Sequence, residues 1–169
     1  MRFLVNVCSG TAREAAASVA EVATAAGHRL RIRPATAEDL DLVNHFHLRD
    51  CSAASRAARY HAGRDRIRAS EWRHLTQPDN GYTLLVSTDD QDRLVGLAHL
   101  LWQESAPPEV AILIADDWQE VGVGTAVARW LAGLAAAHGH RVQQAYIPPG
   151  NVRALRLARH FGAIVDRLG

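Results

Sequence analysis

The chain has 169 residues, 48% of them hydrophobic, and a formal net charge of +1, enough apolar material for one domain with a sizeable core. The balanced charge excludes a dedicated nucleic-acid binder, no apolar run is long enough to span a membrane, and Cys8 and Cys51 have neither disulfide-framework nor zinc-site spacing. All 19 basic residues are Arg, which excludes Schiff-base chemistry on a Lys, and a cytoplasmic protein with free thiols and no metal is expected.

Residues 1–7 set Met1, Phe3, Val5 and Val7 against Arg2, Leu4 and Asn6, which predicts a short strand. Ser9-Gly10-Thr11 breaks it, and the Ala-rich residues 12–26 predict a helix closed by Gly27. Residues 30–33 alternate as a strand and stop at Pro34. Thr36 is a good N-cap for a helix over residues 37–48, with Glu38 and Asp39 in its first turn. Arginine-rich helical segments follow at residues 52–60 and 66–75, and residues 77–81 are a turn cluster. Residues 82–87, 93–102 and 109–115 are short strands linked by turns, which implies an antiparallel meander. A helix over the residues after Gly124, a strand at residues 141–147, a helix capped by Asn151 and a last strand near residues 163–168 complete the chain. No repeat or low-complexity linker interrupts it. The one plausible join lies at residues 27–30, which divides a strand-helix extension, residues 1–27, from a domain over residues 28–169.

Residues 111–139 carry the most information. A β-branched run stops at Asp116-Asp117, a turn carries Gln119-Glu120-Val121-Gly122-Val123-Gly124, and a helical pattern follows with Val127, Trp130, Leu131 and Leu134 on one face. A helix start presents unpaired N–H groups and the positive end of its dipole, a seat for a phosphate or pyrophosphate. Gly122 and Gly124 lack a Cβ, so a ligand can approach their backbone. No Gly-Lys-Ser/Thr follows, which rules out a nucleoside-triphosphate loop, and the glycine spacing is wrong for a dinucleotide fingerprint. A glycine-containing turn that binds nothing is the plain alternative.

The Gln-x-x-Gly-x-Gly turn after a strand resembles the acyl-CoA pyrophosphate loop of the GNAT N-acetyltransferase superfamily. The order strand, two helices, three-strand meander, loop-helix, strand, helix over residues 30–162 is similar to that family's order. The segment Asn151-Val-Arg-Ala154, running on to Gly162, resembles its Asn-x-x-Ala…Gly segment. Within the family the chain looks most like bacterial Pat-type protein lysine acetyltransferases. Ser52-Ala-Ala-Ser55-Arg56-Ala-Ala-Arg59-Tyr60 is similar to their Ser-Pro-Glu-Ser-Arg-x-x-Arg-Phe segment. Leu75-Thr76-Gln77-Pro78-Asp79 and the Glu109-containing strand running into Gln119 match two more. The resemblance implies an α/β fold: a mixed, mostly antiparallel sheet flanked by helices, here with an extra N-terminal strand and helix and a shortened C-terminus.

The resemblance also implies a chemistry. Acetyl-CoA would be the cosubstrate, with no metal. Gln119, Glu120, Val121, Gly122, Val123, Gly124 and Thr125 would hold its pyrophosphate, and Asn151 would lie beside the thiol end. Glu109 matches the family's catalytic Glu and would take the proton of an attacking ammonium, with His99 in reserve; a solvated Glu at a strand start is the structural alternative. A backbone N–H near Leu113 or Ile114 would polarise the thioester oxygen. The family's usual loop Arg is Val121 here, and its usual helix Tyr is Ala158, so no general acid is assigned. The acceptor would be an amine, either a protein lysine or a small molecule, with no nucleic-acid or membrane partner. A catalytically silent acyl-CoA-binding sensor or partner module is the competing reading. Residues 1–7 are expected to take the place of the family's final strand, within the same chain or swapped between the subunits of a homodimer, with a floppy extension as the alternative.

Overall fold

The computed structural model describes residues 2–6, 19–61, 64–90 and 93–166. In chain order the elements are β1 (Arg2–Asn6), β2 (Ala20–Ala23), β3 (Arg29–Pro34), α1 (Leu40–Arg49), α2 (Ala53–Tyr60), α3 (Ala69–Leu75), β4 (Gly81–Thr88), β5 (Leu94–Leu101), β6 (Glu109–Ile114), α4 (Val123–Ala137), β7 (Val142–Tyr146), α5 (Val152–His160) and β8 (Ile164–Asp166). All the strands join one sheet in the order β2-β3-β4-β5-β6-β7-β1-β8. Every neighbouring pair is antiparallel except β6 and β7, which run parallel across the α4 crossover.

Strands β4 and β5 are nearly continuous apolar runs because helices cover both of their faces. On one face Val123, Val127, Leu131 and Leu134 of α4 pack on Leu30, Ile32, Leu84, Val86, Ala98 and Ile114. On the other, Val43, Phe46, Ile67 and Trp72 from α1, α3 and their connection pack on Leu85, Leu97 and Leu113. The meander, α4, β7 and α5 match the sequence expectations within a residue or two.

Three expectations are corrected. The Ala-rich helix over residues 12–26 is not what the end of that segment forms: residues 20–23 are the strand β2, and residues 12–18 lie outside the described residues. Alternation decides it, since Ala20 and Val22 turn toward the sheet while Glu21 and Ala23 face solvent, and the strand pairs with β3 across a Thr24–His28 turn. Gly27, at φ +87°, belongs to that turn and is not a helix stop. Alanine's helix propensity is only a fraction of a kilocalorie per residue, which pairing at a sheet edge overrides. The helix expected over residues 66–75 starts only at Ala69, because Asn44 of α1 holds the backbone of Ile67 extended by two hydrogen bonds of 2.8 and 3.2 Å. The helix expected from residue 37 begins as a 3-10 turn over Ala37–Asp39, where the Asp39 carboxylate accepts from the Thr36 N–H at 2.7 Å.

Strand β1 lies inside the sheet, paired with β7 over five positions and with β8 over three. Phe3 is buried there against Ile147 and Ala158.

Candidate active site

Strands β6 and β7 pair at one point only, Glu109 opposite Gln144. There the Gln144 N–H donates to the Pro108 carbonyl at 2.9 Å. Beyond it the strands part, and a cleft of about 1330 Å³ opens between them, bounded by α2, the start of α4 and α5.

The register fixes which β6 amides face this gap. Ala115 donates to the Val95 carbonyl, so the hydrogen-bonded pairs across β5 and β6 include Leu97 with Leu113 and His99 with Ala111. The N–H of Leu113 is therefore committed to the ladder with β5, which corrects its place as an oxyanion donor. The amides of Ile112 and Ile114 point the other way, toward β7, past the last pairing of the two strands. Ile114, named from the sequence, is one of these, and Ile112, which spacing alone does not single out, is the other.

The turn between β6 and α4 is built as a clamp. Asp116 accepts from the Ser52 N–H at 3.1 Å and from the Ser55 hydroxyl at 2.7 Å, tying the start of α2 to the end of β6. Burial pushes its carboxyl upward, but the hydrogen bonds from Ser55 and Ser52 outweigh that and leave it below the usual carboxylate range. Gln119 donates to the Ile114 carbonyl at 3.0 Å and to Ser55 at 3.1 Å, and accepts from Arg153 of α5 at 2.8 Å. Its side chain thus spans three elements, leaving the backbone to meet a ligand. Glu120 adopts φ +63° and pairs with Arg153 at 3.6 Å.

Gly122 caps α4 at φ +90° without any side-chain cap, and the first helical bond is from Ala126 to the Gly122 carbonyl. The amides of Val123, Gly124 and Thr125 precede that bond and have no helical partner. A Cβ on Gly122 would stand 3.3 Å from Thr24 in addition to its strained φ, whereas one on Gly124 would meet only Leu157, at 3.8 Å. Val123 is buried and Val121 packs on the core, so neither side chain is a ligand contact. The α5 side of the cleft carries Arg153 and Arg156, cations the loop itself lacks. Asn151 lines the cleft and caps α5, its Oδ1 accepting from the Ala154 N–H at 3.1 Å.

At the other end of the cleft stand Glu109, Arg59, Tyr60, Arg64, Glu71 and Gln144. Arg64 and Glu71 form an ion pair. The Tyr60 hydroxyl bonds His47 Nε2 at 2.9 Å, and burial pushes the phenol up to about 12. His99, the second candidate base, is fully buried and does not line the cleft. The Thr83 hydroxyl gives its proton to the Leu75 carbonyl at 2.5 Å, so it accepts from His99 Nδ1 at 3.0 Å. Burial holds this imidazole neutral, well below its ordinary pKa. Its role is structural. Sequence reading names Ser55 and Arg59 only within the Pat-like segment, without a place in the site, and does not single out Glu71, Gln144 or Arg153; Ser55 and Arg59 sit four apart on α2, a one-face spacing that flags them together.

A family model described as an acetyltransferase (GNAT) domain matches residues 29–164. Among solved structures, the GNAT domain of PAT from S. lividans superposes with a TM-score of 0.78 at 23% identity, covering 89% of this chain and 90% of that one. A GNAT-family acetyltransferase from Streptococcus pneumoniae gives 0.64 at 17%, covering 82% and 86%. The ribosomal-protein-S5-alanine acetyltransferase of Vibrio fischeri gives 0.66 at 13%, covering 86% and 82%. No curated protein matches the sequence. Among the described residues no helix is long and apolar enough to cross a membrane, and no three His, Cys, Asp or Glu side chains cluster as metal ligands.

Proposed function

The chain belongs to the GNAT acetyltransferase family, whose domains move an acetyl group from acetyl-CoA to an amine, and from that premise we propose that Glu109 is the general base and that the parted strands hold the acyl donor. The observation that carries this is the single pairing point of β6 and β7, with Glu109 at the apex of the cleft.

The residues around the cleft fit acetyl-CoA. The uncapped amides of Val123, Gly124 and Thr125 suit its pyrophosphate, with Gly122 and Gly124 allowing close approach. Arg153 and Arg156 on α5 supply the positive charge that Val121 does not. The amides of Ile112 and Ile114 can pair with an extended amide-bearing chain as a strand would, and one of them can polarise a thioester carbonyl.

In this reading Glu109 takes a proton from the acceptor ammonium. The neutral nitrogen attacks the thioester carbonyl and the C–N bond forms; as the C–S bond breaks the nitrogen gives its second proton to solvent, and the CoA thiolate leaves and takes a proton from solvent. The acceptor is an amine, with a protein lysine and a small molecule both compatible with an open-ended cleft. Release of free CoA in the presence of an amine panel, with mass spectrometry of each acceptor, tests the assignment. Tight acetyl-CoA binding with no acceptor modified by any member of the panel would identify a silent binding module instead.

A further inference from the structure

We infer that the acceptor amine carries a carboxylate of its own, held by Arg59 while Glu109 and Gln144 hold the ammonium. This rests on the acetyl-transfer reading of the cleft and adds a substrate class to it.

Three observations carry it. Arg59 lines the cleft, yet among the described residues it makes no ion pair and no hydrogen bond; its guanidinium carbon stands over the Tyr60 ring, 4.9 Å from the ring centre. Its Nε is shut off from solvent with no partner. The side chain as a whole is only half-buried, and a guanidinium that lines a cleft without a formed ion pair is placed to take an incoming anion through charge-assisted hydrogen bonds. Burial accordingly pulls its pKa below the ordinary value, against the nearby charges of Tyr60, Glu109 and Glu71.

The second observation lies across the cleft. Gln144 is 2% exposed, lines the cleft, and its Oε1 is buried with no hydrogen-bond donor. It stands opposite Glu109 in the register, so the two side chains share one face of the sheet. A buried carbonyl oxygen without a donor is the complement of an N–H group.

The third is the charge arithmetic of the chamber. Arg64 and Glu71 neutralise each other. At this end of the cleft, among the described residues, that leaves one cation, Arg59, and one carboxylate, Glu109, which feel each other's charge but form no ion pair. A zwitterion seated with its carboxylate on Arg59 and its ammonium on Glu109 and Gln144 satisfies all three groups at once. A polyamine would leave Arg59 facing a second cation.

The carboxylate could come from a free amino acid or from an acidic side chain beside a lysine in a peptide, and the test separates these. One pair of probes is 4-aminobutanoate and 4-aminobutanamide; the other is a blocked lysine peptide flanked by Glu or by Gln. Acetylation is read as kcat/KM, and binding to the CoA-loaded protein by calorimetry. An acid-over-amide preference of roughly 10- to 100-fold, from one charge-assisted hydrogen-bonded pair, is expected in at least one probe pair, and which pair shows it identifies the source. Arg59→Gln should bring that ratio near one, and Arg59→Lys should restore part of it. Equal responses to acid and amide, no response to either member of both pairs, or equal loss on both in Arg59→Gln would overturn the proposal. Acid-selective binding without turnover would leave the anion seat standing and remove the transfer reading instead.

Discussion

Glu109 and Gln144 face each other at the one place where β6 and β7 pair, and everything the cleft holds is arranged from that point. Toward the C-terminal ends of both strands lie the open amides of β6 and the uncapped start of α4. On the α2 side stand Arg59, Tyr60 and the Arg64–Glu71 pair. In the proposed reaction a donor and an acceptor entering from the two sides would meet beside a carboxylate.

Replacing Gly124 by Asp should abolish acetyl-CoA binding. The Cβ itself is tolerated, since only Leu157 lies near it, so Gly124→Ala should bind almost normally. The carboxylate of the Asp variant would face the same amides that suit a pyrophosphate and would repel it. Calorimetry showing unchanged affinity for Gly124→Asp would remove the phosphate seat from this helix.

Glu109→Gln should lower kcat by roughly 100- to 10,000-fold, the usual worth of one general base, with little change in acetyl-CoA affinity. The loss should shrink at alkaline pH, where more of the amine is already neutral. A variant within a few-fold of wild type across that range would make Glu109 structural. His99 would not inherit the role, because it is fully buried and away from the cleft.

Arg153→Ala should weaken acetyl-CoA binding by two routes. It removes a cation beside the start of α4, and it frees Gln119, whose Oε1 it holds at 2.8 Å. A charge-assisted hydrogen bond is worth about 1.5 to 3 kcal/mol, so the dissociation constant should rise roughly tenfold or more. The deficit should fade at high salt if the cation acts on phosphate. A salt-independent deficit would assign the effect to the Gln119 clamp alone.

Acid should destabilise the fold through His47. Burial, reinforced by the charges of Arg56, Arg59 and Arg64, lowers its pKa from 6.5 to about 4. Between those values the unfolded chain binds a proton that the folded one does not. The stabilisation is therefore complete above pH 6.5 and is lost as the pH falls toward 4. The loss is about 3 kcal/mol for this group. His99, also lowered, adds in the same direction. Denaturant midpoints for wild type and His47→Gln from pH 7 to 4.5 check this: the variant should show a shallower decline, and parallel curves would assign the acid sensitivity elsewhere.

Deleting residues 1–27 should cause aggregation or a large fall in melting temperature. It removes β1 from between β7 and β8, exposing a strand edge, and takes Phe3 out of its pocket against Ile147 and Ala158. Loss of a buried Phe alone costs about 3 to 5 kcal/mol. A soluble truncated protein with an unchanged melting temperature would show that residues 28–169 stand without the extension.

Local chemistry was legible in the sequence. The meander follows from turn-bounded apolar runs, α4 and α5 from periodicity and caps, and the loop from a strand ending at paired aspartates before two glycines. Each of these is decided within a few residues by backbone sterics and by which side chains must leave water. The strand β2 stands where a helix is expected because helix propensity is weak beside the pairing that an adjacent strand offers. What only the tertiary structure decided is non-local. The parting of β6 from β7 depends on the register of two strands more than thirty residues apart. The register of β6 against β5 turned the Leu113 amide into the ladder and the Ile112 and Ile114 amides toward the cleft, and that of β6 against β7 brought Gln144 beside Glu109. The packing of α2 against β6 set Arg59 in the same chamber, where among the described residues it forms no ion pair. No spacing rule carries that information, because a hydrogen bond or an unpaired charge across the sheet depends on distance in space, which the chain fixes only when it closes on itself.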